Sequence, residues 1–229
     1  MPMTAGVFVT GTDTGIGKTR VAVALIRGLA ADGLRVAGMK PVAAGIDPGA
    51  AANADVLALM NAASVLSALA DVNPYGFAPA TAPHVAAARA GVAIDLERCA
   101  QAYGRLAAVA DIVVVEGAGG VLVPLGAGID MLDLPRRLAL PVLLVVGVRL
   151  GCLNHALLSA LAIRARGLRL AGWVANRIDP AMDDADASVA ALAAALGAPM
   201  IADIPFAAGA GAAPIRDAAR VLGLLSPRR

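Results

Sequence analysis

Ten consecutive residues, Thr10-Gly11-Thr12-Asp13-Thr14-Gly15-Ile16-Gly17-Lys18-Thr19, combine three glycines with a lysine and a run of hydroxyls. Glycines let a backbone turn tightly enough for its N–H groups to point inward at phosphate oxygens. A helix beginning near Lys18 would add unpaired donors and a positive dipole end. Lys18 would then reach the β- and γ-phosphates, and the Thr19 hydroxyl would coordinate Mg²⁺. Five residues separate Gly11 from Gly17, where the common phosphate loop has four. The same segment also reads as T-G-x-x-x-G-x-G, a dinucleotide loop used by short-chain dehydrogenases. Those enzymes need a tyrosine and a lysine four residues apart. Here Tyr75 is followed by Pro79, Tyr103 by Ala107, and no lysine lies beyond position 40. Nucleoside triphosphate binding is the stronger expectation.

Charge usage singles out the partners of that loop. Of 19 basic residues only Lys18 and Lys40 are lysine, and of 17 acidic residues only Glu97 and Glu116 are glutamate. Lysine is a compact ammonium on a flexible stem, which arginine does not replace. Lys40 ends the run RVAGMK and precedes Pro41; Glu116 ends DIVVVE and precedes Gly117-Ala118-Gly119-Gly120. In open α/β sheets ligands bind at the carboxyl ends of strands. A carboxylate there can hold Mg²⁺ or its waters, and a cation can meet a γ-phosphate or a developing anion. Asp55, on a helix just beyond, is a further metal candidate. After PVLLVVGV comes Arg149-Leu150-Gly151-Cys152-Leu153-Asn154-His155. Asn154 is expected to cap a helix whose start could bind a carboxylate. Cys152 reads most simply as a packing residue. Cys99 and Cys152 are too few for a disulfide framework. His84 and His155 lack metal-ligand spacing and are expected to be hydrogen-bonded structural residues.

These residues need a frame to bring them together. Strands are expected at Val7–Thr10, Arg35–Lys40, Asp111–Glu116, Pro141–Val148, Leu170–Ala175 and Met200–Ile204. Runs such as DIVVVE and PVLLVVGV lack polar alternation, as parallel strands covered on both faces do. Helices are expected at Lys18–Ala31 (ended by Asp32-Gly33), His155–Arg166 and Ser188–Leu196. Pro74, Pro79 and Pro83 break residues 45–110 into pieces expected to be helical rather than sheet, and Gly209–Pro214 reads as loop. The alternation predicts a doubly wound, mainly parallel α/β sheet with helices on both faces, P-loop NTPase-like. No linker divides it, so residues 1–229 are expected to form one domain.

Composition narrows the functional class. The chain has 229 residues, 59% of them hydrophobic, which argues against disorder. Its longest central apolar run, Leu138–Val148, has eleven residues and contains Pro141; a spanning helix needs roughly twenty. Met-Pro-Met-Thr carries no basic region of a secretory signal, so a soluble cytoplasmic protein is expected. Net charge is +2 with scattered basic residues, which points away from nucleic acid and membrane partners.

Seven segments together resemble the dethiobiotin synthetase family: TGTDTGIGKT (10–19), KPVAAG (40–45), NPYGFAPATAPH (73–84), VEGAGG (115–120), VVGVRLGCLNHALL (145–158), AGWVAN (171–176) and IPF (204–206). The resemblance implies an ATP- and Mg²⁺-dependent ligase of biotin synthesis. In that family an amine of 7,8-diaminononanoate takes up CO₂ as a carbamate and ATP phosphorylates it. The second amine then closes the urea ring of dethiobiotin, releasing ADP and phosphate. By position, Lys40 matches the catalytic lysine and acts with Lys18, while Thr19, Asp55 and Glu116 match the Mg²⁺ ligands. ATP would lie on Asp13, Thr14, Gly15, Ile16, Gly17, Lys18, Thr19 and Arg20, with Asp55, Glu116, Gly117, Ala118 and Gly119. Asn176, with Arg177 beside it, matches the residue recognising adenine, and Pro205, Phe206 and Ala207 line the base. Substrate would meet Thr14, Lys40, Ala44 and Gly119, and the loop carrying Leu150, Gly151, Cys152 and Asn154 would act across a homodimer interface. Three departures stand out: Ala44 where some members carry serine, Gly15 where some have glutamate, and a shorter connection from Lys40 to Asp55. The competing function is a partitioning or positioning switch ATPase. Such proteins place a second lysine directly after the loop's first glycine, where this chain has Thr12, and the C-terminus, ending Ser226-Pro227-Arg228-Arg229, is not expected to form a strong basic amphipathic helix. A dehydrogenase ranks third.

Overall fold

The computed structural model describes residues 5–207, 211 and 213–223. The segment Met1–Thr4, part of the expected loop Gly209–Pro214 and the tail Ser226–Arg229 lie outside the described residues. Along the chain β1 (Ala5–Gly11) leads to α1 (Lys18–Ala31), β2 (Val36–Met39), β3 (Val42–Ala44), α2 (Ala54–Ala62) and α3 (Leu69–Val72). Next come β4 (Tyr75–Phe77), α4 (Pro83–Arg89), α5 (Leu96–Ala107), β5 (Ile112–Glu116), β6 (Pro124–Gly126), β7 (Ile129–Asp130) and α6 (Asp133–Arg137). The chain continues through β8 (Val142–Val148), α7 (Cys152–Ala165), β9 (Leu170–Arg177), α8 (Ala185–Ala195), β10 (Met200–Ile204) and α9 (Ala218–Val221).

Six strands pair in the order β10-β9-β8-β1-β5-β2, every neighbour parallel. Successive side chains on a strand point to opposite faces, and both faces are covered. Val7 and Val9 of β1, Ile112 and Val114 of β5 and Leu143 and Val145 of β8 pack with Val21, Leu25 and Leu29 of α1. Phe8, Val113 and Val115 point the other way, onto Cys99, Ala102 and Leu106 of α5. Leu144 and Val146 meet Ala156, Ala160 and Ile163 of α7 on that same side. A fully buried side chain of this size stabilises by about 1.5–3 kcal/mol. That explains why these strands carry apolar residues at consecutive positions. The mainly parallel α/β architecture with helices on both faces is as expected.

The structure adds the short strands β3, β6 and β7 to the six expected ones, and two further expectations need correction. The region 45–110 is not purely helical, because Tyr75–Phe77 forms β4, parallel to β3. Pro74 and Pro79 bracket this segment and disfavour helix on either side. The extended residues find partners instead: Tyr75 N–H donates to the Pro41 carbonyl at 3.1 Å, and the buried Tyr75 and Phe77 rings stack with centroids 6.4 Å apart. The second correction concerns α7, which starts at Cys152 with Gly151 as its N-cap at φ 89°. Gly151 tolerates this left-handed turn, so the helix starts earlier and Asn154 falls in its first turn rather than at the cap.

Candidate active site

Strand order assembles the site. In β1-β5-β2, Val9 pairs with Glu116 and Met39 with Val115. Lys40, one residue past Met39, therefore emerges beside Glu116 at the carboxyl edge. Its Nζ lies 2.6 Å from Glu116 Oε1 and 2.7 Å from Asp55 Oδ2. Thr19 Oγ1 donates to the same Glu116 oxygen at 2.8 Å. Asp55 arrives from the first turn of α2, which Asn53 caps by accepting the Asp55 N–H at 3.0 Å. The shorter connection from Lys40 thus still delivers Asp55 to the site.

Burial sets the electrostatics. Lys40 is 5% exposed and Glu116 is 1% exposed, so neither is a solvated strand-end group. Burial disfavours the Lys40 ammonium, but Glu116 and Asp55 together outweigh it and hold its pKa above the ordinary lysine value. Burial likewise works against the Asp55 carboxylate, yet Lys40 holds it below its usual range. Glu116 is pushed upward by burial, which Lys40 only partly offsets. Its second oxygen, Oε2, is buried and has no hydrogen-bond partner. Lys18 donates to the Asp13 carbonyl at 2.7 Å, and burial lowers its pKa to about 8 against the pull of Glu116.

A cavity of about 730 Å³ opens over this cluster. Of the expected site residues it brings together Thr14, Gly15, Gly17, Lys18, Thr19, Lys40, Ala44, Asp55, Glu116, Ala118 and Gly119. It is also lined by Ala80, Thr81, Ala82, Pro83 and Val123, which sequence reasoning did not select. Four of them, Ala80, Thr81, Ala82 and Pro83, belong to the NPYGFAPATAPH segment, and only Thr81 among these four has a polar side chain. The other expected residues are not among those lining the cavity. Gly117 joins the core side, its N–H donating to the Val9 carbonyl at 2.9 Å. Ile16 is buried beneath the phosphate loop.

Asn176 and Arg20 connect that loop to the far side of the sheet. Asn176 is 1% exposed; its Nδ2 donates to the Ile16 carbonyl at 2.7 Å, and its Oδ1 accepts from Arg20 Nη1 at 3.1 Å. Arg20 Nη2 donates in turn to the Pro205 carbonyl at 3.1 Å. Gly17 sits at φ 85°, and a Cβ there would collide with Asn176 Nδ2. Arg177 pairs with Asp203 at 2.7 Å and Asp186 at 2.6 Å. Phe206 is partly exposed just past β10. The structure therefore brings Asn176, Arg20 and Pro205 to one side of the loop, but Asn176 spends its amide on protein partners.

Leu150, Gly151, Cys152 and Asn154 do not line the cavity. Leu150 is 89% exposed, whereas Cys152 is buried in the core as a packing residue. Arg149 was missed, although it follows β8 as Lys40 follows β2. Its Nη2 lies 2.6 Å from Asp13 Oδ2 and ties the start of the α7 loop to the phosphate loop. The expectation for the histidines needs correction. His84 Nδ1 is buried without a hydrogen-bond partner, and His155 is exposed on the first turn of α7.

The oxygen donors Thr19 Oγ1, Asp55 and Glu116 suit a hard divalent cation, which binds through one or two carboxylates plus substrate phosphates. The orphaned Glu116 Oε2 is the observation that fits this best, because a buried carboxylate oxygen without a donor lacks its usual compensation.

A family described as "AAA domain" matches residues 5–213. An ATP-dependent dethiobiotin synthetase from Nitrosospira multiformis is 54% identical over 207 residues, covering 90% of this chain and 90% of its own length. A protein of the same description from Aromatoleum aromaticum is 50% identical, covering 94% of this chain and 97% of its own. The chain belongs to the dethiobiotin synthetase family. Among solved structures, a ParA family ATPase from Chlorobium tepidum matches with TM-score 0.56 at 13% identity, covering 90% of this chain and 86% of its own. MinD from Aquifex aeolicus matches with TM-score 0.55 at 19% identity, covering 88% and 81%. At these identities the likeness concerns the fold, which this dethiobiotin synthetase family member shares.

Proposed function

We propose that the chain catalyses ATP-dependent ureido ring closure of 7,8-diaminononanoate with CO₂ to dethiobiotin, ADP and phosphate. The convergence of Lys18, Lys40, Thr19, Asp55 and Glu116 on one cavity carries this reading. One amine adds CO₂ and loses a proton to become a carbamate. The carbamate oxygen attacks the γ-phosphorus, and ADP leaves. The second amine attacks the resulting carbamoyl phosphate, the ring closes, and phosphate departs as that amine gives up a proton. Carbamate and γ-phosphate are both anions, so their approach calls for concentrated positive charge and little covalent help from protein.

Each residue has a role within that scheme. The phosphate-loop amides from Asp13 to Thr19 would hold the polyphosphate, with Lys18 on the β- and γ-oxygens. Lys40 would stabilise the carbamate and the transferring phosphoryl group. Thr19, Asp55 and Glu116 would hold Mg²⁺, which when bound neutralises phosphate charge. Asn176, Arg177 and Pro205 to Ala207 would meet adenine, and Thr14, Ala44 and Gly119 the diamine. Leu150, Leu153, Leu157, Leu158 and Leu161 form an exposed apolar row at helical spacing. Such a row supports a homodimer in which residues 150–154 approach the neighbouring subunit's substrate. Among the described residues no helix is long and apolar enough to cross a membrane. With scattered charge, that supports a cytoplasmic enzyme acting on small molecules rather than on lipid or nucleic acid.

The decisive experiment supplies purified protein with ¹³C-bicarbonate, 7,8-diaminononanoate, ATP and Mg²⁺. Label in the ureido carbon of dethiobiotin is the expected result. ATP turnover that ignores the diamine but responds to DNA or lipid vesicles would overturn the proposal in favour of a positioning switch.

A further inference from the structure

Lys40 occupies an unusual place for a residue that must meet anionic reactants. Its ammonium lies between Glu116 and Asp55, 2.6 and 2.7 Å from their oxygens. Those carboxylates belong to the set best suited to a divalent cation. Two acids brought together, one almost wholly buried, repel each other unless a cation stands between them. Lys40 supplies that cation. It also holds Glu116 Oε1 jointly with Thr19, leaving Oε2 with no partner.

We propose that Lys40 is the counter-ion of the metal-free site and leaves Glu116 and Asp55 when Mg²⁺ arrives, swinging into the cavity to meet the anionic reactants. This rests on the reading of Thr19, Asp55 and Glu116 as metal-holding groups. A dication on the same oxygens removes the reason for the ammonium to stay and repels it. Lys40 is the member free to move. Glu116 is fixed at the end of β5 and Asp55 in the first turn of α2, whereas the lysine has a flexible four-carbon stem. Its exit is at hand, because Lys40 lines the cavity together with Lys18, Thr14 and Ala44. Thr19 can keep donating to Glu116 while its lone pairs face the ion. The exchange makes the catalytic cation available only when metal and nucleotide are in place, so Lys40 is spent neither on a carbamate nor on a phosphate before both can react.

Lys18 and Lys40 are the chain's two lysines, so lysine-selective ¹³C labelling yields two side-chain ε signals, assigned with a Lys40→Arg sample. The whole protein is titrated with a non-hydrolysable ATP analogue, first without metal and then with Mg²⁺, while calorimetry follows binding. The expected result is a Lys40 signal that stays in place with the analogue alone and shifts when Mg²⁺ is added. Mg²⁺ binding that leaves Lys40 unmoved overturns the exchange while sparing the metal assignment. A Lys40 shift with the analogue alone also overturns it. Failure of Mg²⁺ to bind at all removes the exchange and the metal reading together. As a second measurement, Lys40→Met protein should bind Mn²⁺ with the analogue roughly tenfold more tightly than wild type by electron paramagnetic resonance. Unchanged or weaker binding counts against the proposal.

Discussion

Lys40 Nζ and Glu116 Oε1 lie 2.6 Å apart although 76 residues separate them in the chain. The contact exists because β2 and β5 are parallel neighbours in register, Met39 opposite Val115. Glu116 ends β5 as its single charged residue, and Lys40 follows the uncharged β2 at the same height, one negative and one positive. Parallel pairing makes such a meeting possible, since both chains reach the same edge of the sheet.

Removing the ammonium tests the chemistry directly. Lys40→Met should lower kcat for labelled dethiobiotin formation by about 10²–10³, the usual cost of losing one charge-stabilising donor. Binding of metal-free ATP analogue should stay within about threefold, because Lys18 and the loop amides remain. Calorimetry and the labelled-bicarbonate assay separate the two quantities, and a variant with full turnover would end the catalytic assignment.

Lys18 predicts a pH dependence. Its pKa is lowered to about 8 by burial, and only the ammonium attracts phosphate. Affinity for the analogue should be greatest below pH 8 and fall as pH rises through it. Binding near pH 8 should take up protons, since a polyphosphate raises the lysine pKa again. Calorimetry in buffers of different ionisation enthalpy reads that uptake; proton release would contradict it.

Gly17 has a steric constraint. Gly17→Ala must place a Cβ against Asn176 Nδ2 at positive φ, and should cost at least about 1 kcal/mol of folding stability. It should also weaken analogue binding, because the Ile16 carbonyl held by Asn176 must shift. Urea unfolding monitored by the fluorescence of Trp173 measures the first effect.

The apolar row on α7 predicts the assembly. Leu161→Asp changes a side chain 64% exposed in the isolated chain, so the fold should persist with near-unchanged circular dichroism. Sedimentation velocity should show a shift from dimer to monomer, with KM for the diamine rising more than that for ATP. A wild-type protein that sediments as a monomer refutes the shared site.

Local pattern in the sequence determined much of this molecule. The phosphate loop, α1 from Lys18 to Ala31 and the apolar strands β1, β5 and β8 depend on turn chemistry, capping and burial that neighbouring residues encode among themselves. The scarcity of lysine and glutamate marked Lys18, Lys40 and Glu116, but it marked Glu97 equally, which pairs with Arg137 at the surface away from the cavity. Tertiary structure alone decided the order β1-β5-β2 that sets Lys40 on Glu116, the pairing of Tyr75–Phe77 with Val42–Ala44, the commitment of the Asn176 amide to Ile16, and the Arg149–Asp13 bridge. These are contacts between residues far apart in the chain. Which strand lies beside which depends on how whole helices and sheet faces exclude water together, and no short window of residues contains that information.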